Sequence, residues 1–115
     1  MAHKLSDEER QEAWRGFRDK VNLTPTELER WLEEPESKSS GQSEEGGEST
    51  GHRSGRRIAE IQRMRKDDLG EDDYAHMRKV VGYIDRHLAQ RPAGDVRETT
   101  WRYSLMNWGH DPLKN

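Results

Sequence analysis

The sequence predicts an all-α fold: a single small domain of four to five helices with a long polar loop between the second and third. Several segments repeat apolar residues at spacings of three and four, which is the periodicity of a helix with one buried face. Capping signals precede these segments. No segment alternates apolar and polar residues as a half-buried strand does. The 115 residues have room for one domain.

The composition predicts a thin core. Only 29% of the residues are hydrophobic and 37% are charged, but four Trp, three Tyr and one Phe supply large apolar surfaces. The 20 basic and 23 acidic side chains nearly cancel. We therefore expect a folded domain of modest stability and not a disordered chain.

The sequence has no Cys, which excludes disulfides, thiolate metal sites and a cysteine nucleophile. The first residues lack the apolar stretch of a secretory signal. The longest apolar run, residues 80–84, is far shorter than the roughly 20 residues that a membrane-spanning helix requires. We expect a cytoplasmic protein that does not enter a membrane.

Two capping boxes predict a helix-turn-helix unit over residues 7–33. Ser6-Asp7-Glu8-Glu9 places a hydroxyl three residues before a carboxylate, so the first helix should cover about 7–21. Thr24-Pro25-Thr26-Glu27 repeats the pattern with Pro at the first helical position. The second helix should stop before Pro35.

Residues 34–52 are predicted to form a flexible polar loop. The stretch from residue 34 to residue 51 contains no apolar residue, so it cannot bury enough surface to offset the entropy cost of ordering it.

Residues 53–112 should form the main helical core. Helices are predicted at about 54–67 and 72–90, and a capping box at Asp95 predicts the start of a last one. Trp101, Leu105 and Trp108 share one face of that last helix. Aromatics near Arg could stack on bases, but with so few aliphatic residues the core is the favoured place for these two Trp.

The charge distribution is the main functional signal. Residues 49–66 carry six basic side chains and one acidic one, at the start of a predicted helix. Unpaired helix N–H groups and arginine forks both suit phosphate, and Gly51 and Gly55 would allow close approach of the backbone. The predicted anion-binding or nucleic-acid-binding residues are His52, Arg53, Ser54, Arg56, Arg57 and Arg63.

The same charges are also typical of a solvated helix whose cations pair with carboxylates of the same molecule. The chain is acidic overall, with a pI of about 6.0, which falls short of the basic footprint of a dedicated nucleic-acid binder. Both interpretations of the basic block stay open at the level of sequence.

No catalytic or metal site is predicted. The five His residues form no i, i+4 pair, and His76 and His87 lie about 16 Å apart along a helix, too far to share a metal ion. No nucleophile lies in a recognisable arrangement with a base. We expect no enzyme activity, no cofactor and no metal.

Several strings resemble a known family. They include Thr24-Pro25-x-Glu27-Leu28-x-x-Trp31-Leu32, Ser54-Gly55-Arg56-Arg57-Ile58 and the run from Trp101 to Pro112. The chain resembles, over about 6–114, a family of small bacterial and fungal proteins catalogued as a domain of unknown function (number 3140). The resemblance implies no particular binding or catalytic residue.

Two functional hypotheses follow. The first is a non-enzymatic, nucleic-acid (DNA) associated protein that contacts phosphates through the arginine cluster. The alternative is a protein–protein adaptor that engages a partner through the acidic loop, with Glu44, Glu45 and Glu48, or through its helix faces.

Overall fold

The structure, a computed structural model, describes residues 4–40 and 50–114, with only the backbone described at residue 40. Helices account for most of these residues. Six α-helices follow one another, with a short 3-10 helix at Lys66–Asp68. They are α1 (Asp7–Lys20), α2 (Pro25–Leu32), α3 (Pro35–Ser40), α4 (Thr50–Arg63), α5 (Glu71–Leu88) and α6 (Thr100–Asn107). No strand occurs in these ranges, so the predicted all-α class is confirmed, with six helices where four to five were predicted.

The capping boxes predicted for the first two helices both form. The Ser6 hydroxyl accepts the backbone N–H of Glu9 at 3.1 Å, and the Glu9 carboxylate accepts the N–H of Ser6 at 2.9 Å. Thr24 and Glu27 make the same reciprocal pair at 3.1 and 2.8 Å. These bonds satisfy N–H groups that have no partner inside the helix, and so they fix where α1 and α2 begin.

The helices pack as two pairs with α6 between them. α1 lies against α5, α2 lies against α4, and α6 contacts α2, α3, α4 and α5. Trp101, Leu105 and Trp108 of the α6 region are 9%, 0% and 4% exposed, so the core interpretation of this segment is correct. The largest fully buried apolar side chains come from several helices and one connection: Leu28, Ile58, Met77, Val80, Ile84, Val96 and Leu105.

The predicted loop at 34–52 is corrected at both ends. Residues 35–40 form α3, and α4 begins at Thr50, several residues earlier than predicted. α3 has no apolar residue; instead, Ser37 is fully buried and bonds to Asn107 of α6. A polar contact 70 residues away therefore orders a segment that its composition alone leaves unstructured. Residues 41–49, with Glu44, Glu45 and Glu48, lie outside the described residues.

Other boundaries also shift. α4 ends at Arg63 and α5 covers 71–88, against predictions of 54–67 and 72–90. α6 begins five residues after the predicted capping box at Asp95, because Thr99 is its cap and accepts the N–H of Arg102 at 3.2 Å. The Asp95 carboxylate instead accepts the backbone N–H of Arg97 at 3.0 Å and pairs with its guanidinium.

None of the described helices is both long enough and apolar enough to cross a bilayer.

Candidate anion-binding site

The six predicted anion-binding residues do not share one face of α4. His52 and Arg63 face α2: the imidazole Nε2 of His52 lies 2.7 Å from the carbonyl oxygen of Leu32, and Arg63 Nη1 lies 2.5 Å from a carboxylate oxygen of Glu29. Both residues bond to α2, so the structure separates them from the rest of the predicted cluster.

Ser54 and Arg57 face α5. The Ser54 hydroxyl lies 3.0 Å from Nε2 of His76, and Arg57 Nη2 lies 3.3 Å from Oδ1 of Asp73. Residues three apart in a helix lie on one face. Ser54 and Arg57 have this spacing in α4, and so do their partners Asp73 and His76 in α5. The pairs therefore bridge the helices side by side.

Ser54, Arg57 and His76 also line a cleft between α4 and α5 with a volume of about 370 Å³, called here the α4–α5 cleft. Its charged lining residues are Arg53, Arg56 and Arg57 of α4, Lys79 of α5, and one carboxylate, Glu60. Four cations and one anion thus line the described part of the cleft, and Asp73 pairs with Arg57 beside it, although the whole chain has a net charge of −3. The cleft is a local concentration of positive charge, which attracts anions more strongly than isolated surface cations do.

The electrostatic state of His76 reflects these surroundings. Burial, together with the positive charges of Arg57 and Lys79, lowers its pKa to about 4. The imidazole is therefore neutral at pH 7 and serves as a hydrogen-bonding group. A general base works best with a pKa near the working pH, so His76 is poorly suited to that role.

A second cavity of about 580 Å³, called here the aromatic cavity, adjoins the cleft. Thr50 and Lys79 line both spaces. In the aromatic cavity the ring of Tyr83 stacks on Trp108, with centroids 4.1 Å apart, and on His87 at 4.6 Å. Arg86 supplies a second cation to its lining.

Gly51 and Gly55 were expected to let the backbone approach a ligand, but in the structure they allow helices to pack closely. A Cβ at Gly55 would lie 2.5 Å from the backbone oxygen of Asn107 and 2.8 Å from Cδ2 of Leu32. A Cβ at Gly51 would lie 3.2 Å from Nε1 of Trp108. Both glycines therefore permit close packing of α4 against α6, and Gly55 also against α2; neither of them brings its backbone towards the solvent side of the cleft.

Sequence reasoning missed Lys79 and Arg86. Together with His76 and Tyr83 they repeat at spacings of three and four along α5, and this pattern is visible in the sequence. In the described part of the chain, no three His, Asp or Glu side chains come together in a way that could hold a metal ion.

The fold and the cleft define a class: a small all-α protein with a candidate anion-binding cleft between two of its helices. The chain matches the family described as "Protein of unknown function (DUF3140)" over residues 16–106, and it belongs to that family. No curated protein and no solved structure matches it significantly.

Proposed function

We propose that this protein binds nucleic acid without catalysing a reaction on it, and that the α4–α5 cleft contacts the phosphates. The observation that supports the proposal is that four cationic side chains, those of Arg53, Arg56, Arg57 and Lys79, line this one cleft. Nucleic acids present closely spaced negative charges, and their neutralisation with release of counterions supplies much of the affinity of such complexes.

The electrostatics of the cleft also favour an anion. Two of the cations, Arg57 and Lys79, are close enough to His76 to lower its pKa together with burial. Asp73 already pairs with Arg57, but the Arg57 side chain is 43% exposed, and a guanidinium has five N–H donors with which to hold a carboxylate and a phosphate together. The proposed contacts are narrower than the predicted set, because His52 and Arg63 bond to α2.

The proposal of a non-enzymatic role is supported by the chemistry of the only imidazole in the described lining of the cleft. His76 lies against the Ser54 hydroxyl, yet its pKa of about 4 makes it a weak acceptor for the proton of that hydroxyl. Incubation of labelled oligonucleotides with the protein should leave them intact on a denaturing gel.

Fluorescence anisotropy tests the binding proposal. Labelled single-stranded DNA, duplex DNA and RNA are titrated with the protein at low salt. The double variant Arg53→Glu/Arg56→Glu should weaken binding by at least about tenfold, because it replaces two phosphate-facing cations by anions. The control Arg15→Glu/Arg30→Glu makes the same change of net charge at exposed positions of α1 and α2 and should retain most of the affinity.

Absence of binding to all three nucleic acids would overturn the proposal. An equal loss in the cleft variant and the control would also overturn it, because the affinity would then depend on net charge and not on the cleft. The adaptor hypothesis stays a prediction; its acidic residues lie outside the described part of the chain.

A further inference from the structure

We infer that the α4–α5 cleft and the aromatic cavity together form one site for a nucleotide unit of a single strand, with the phosphate in the cleft and the base in the cavity. The inference rests on the proposed function and adds to it the class of nucleic acid. It follows from the position of the two spaces and from the different chemistry of their linings.

The two spaces are neighbours and share residues. Thr50 at the start of α4 and Lys79 in the middle of α5 line both of them. Lys79 can therefore contact a phosphate in the cleft while the sugar and base attached to that phosphate extend into the aromatic cavity. The volumes, about 370 and 580 Å³, fall at the lower end of the range for ligand pockets and suit a small group in each.

The aromatic cavity has the chemistry that a nucleobase requires. The rings of Tyr83, Trp108 and His87 stack on one another with Tyr83 in the middle, and this stack forms an aromatic wall that presents ring edges to the cavity. Burial lowers the pKa of His87, with the nearby Arg86 charge acting in the same direction, so the imidazole of this wall is uncharged at neutral pH. Every base has a π face that can meet these ring edges, which is the edge-to-face arrangement that aromatic pairs favour, so the contact tolerates any sequence.

Polar groups at the edge of the cavity can bond to the base. Arg86 lines it together with Thr50 and Lys79, and no acidic side chain lines it among the described residues. Hydroxyl, ammonium and guanidinium groups donate hydrogen bonds to the ring nitrogens and carbonyl oxygens of bases. The cavity thus combines an aromatic wall with donors and a positive potential.

This arrangement favours single strands over duplexes. In a duplex the bases are paired and stacked, so they cannot enter a side cavity unless the duplex opens. A duplex could use only the cleft. An unpaired nucleotide can use both spaces, and single-stranded sites in proteins commonly combine a cationic groove with aromatic side chains in this way.

The test compares three ligands by fluorescence anisotropy with the full chain: a single-stranded DNA oligonucleotide, the same strand with abasic sites, and the corresponding duplex. The single strand should bind more tightly than the duplex. Removal of the bases should weaken binding by about fivefold, because the aromatic contacts of the base are then lost. The dependence of affinity on salt should be the same for the intact and the abasic strand, because both carry the same phosphates.

A cavity-filling variant gives an independent readout. Thr100 is exposed and lines the aromatic cavity, so Thr100→Trp should reduce the affinity for the single strand while leaving duplex affinity unchanged. Gln11→Trp, at an exposed position of α1, is the matched control and should change neither. The abasic comparison uses the unaltered protein, so it decides the question even if Thr100→Trp fails to fold.

The outcomes separate the two proposals. Salt-dependent binding in which the duplex equals the single strand and abasic sites have no effect would overturn this inference and leave the proposed function standing. Absence of binding to every oligonucleotide would overturn both.

Discussion

The hydroxyl group of Ser54 lies 3.0 Å from Nε2 of His76, and this contact joins the two helices that form the α4–α5 cleft. Ser54 is 5% exposed, so the bond is shielded from water. On its other side the imidazole of His76 is parallel to the indole of Trp108, with ring centroids 6.3 Å apart. The lining of the cleft is thereby connected to the core through His76.

The buried imidazole of His76 should make stability depend on pH. Its pKa is about 4 in the folded protein and about 6.5 in an unfolded chain. Between these values the unfolded state binds more protons, so the free energy of unfolding should fall as the pH falls from 6.5 to 4. In His76→Gln the part of this decrease that comes from the imidazole should disappear. The contribution of the imidazole should be on the order of 1 kcal/mol, after allowance for screening of this partly exposed group.

Urea unfolding at pH 7 and pH 4.5 measures this decrease in both proteins. The carboxylates contribute equally to each, so the difference between the two decreases isolates His76. Equal decreases would show that the imidazole is protonated in the folded protein as readily as in the unfolded chain.

Asn107 should be one of the most sensitive positions of the core. It is fully buried; its side-chain oxygen accepts hydrogen bonds from Trp31 Nε1 at 2.8 Å and from the Ser37 hydroxyl at 2.6 Å, and its amide donates to the Ser37 carbonyl at 3.1 Å. Asn107→Leu removes all three bonds and leaves the partners unsatisfied. We expect a loss of about 3 kcal/mol in the free energy of unfolding.

The loss can be measured by urea denaturation, with Gln11→Leu, at an exposed position, as the control that should change stability by less than about 0.5 kcal/mol. α3 should also exchange its amide hydrogens faster in the Asn107 variant. A loss no larger than that of the control would show that these hydrogen bonds do not hold α3 in place.

Two helical glycines should respond oppositely to alanine. Alanine favours a helix by roughly 1 kcal/mol over glycine. At Gly82 the new Cβ meets only the end of the Arg86 side chain, at 3.2 Å, which can move, so Gly82→Ala should stabilise the protein. At Gly55 it meets the Asn107 backbone oxygen at 2.5 Å, so Gly55→Ala should destabilise it by about 1–3 kcal/mol despite the helix preference. Thermal unfolding of both variants decides the matter: stabilisation by both would mean that α4 does not pack closely on α6.

Arg56 and Arg63 form a matched pair on α4. Both are exposed, but Arg56 lines the α4–α5 cleft and Arg63 pairs with Glu29 of α2. Arg56→Gln should reduce the slope of log affinity against log salt by about 1 for duplex DNA, whereas Arg63→Gln should leave it nearly unchanged. Arg63→Gln should also cost less than about 1 kcal/mol of stability, because its ion pair is exposed. A larger change of slope in the Arg63 variant would place the phosphates at α2.

Local signals in the sequence predicted much of the fold. The hydroxyl–carboxylate pairs at Ser6 and Thr24 act within four residues, so their effect does not depend on the rest of the chain. The helical spacing of Tyr74, Met77 and Ile84 in α5 is also a local signal, and all three side chains are buried. Contacts between distant segments were not predictable: the bond between Ser37 and Asn107 creates α3 from residues that show no helical pattern.

Only part of the candidate site could be predicted, because it too depends on contacts between distant segments. The sequence shows that arginines cluster at the start of α4, but not which helix each one faces. Neighbouring helices decide this: Glu29 engages Arg63 and Asp73 engages Arg57, and both partners are remote in sequence. Lys79 joins the cleft from α5 only because the two helices lie side by side.

The central claim is that the α4–α5 cleft receives the phosphates of a nucleic acid, and NMR tests it most directly. Spectra of the ¹⁵N-labelled protein are recorded during titration with a single-stranded DNA oligonucleotide at low salt. The account predicts that the largest shifts occur at the backbone amides of residues 50–57 and 76–87 and at the indole N–H of Trp108, and that added salt reverses them. Unchanged spectra, or shifts confined to α1 and α2, would contradict it.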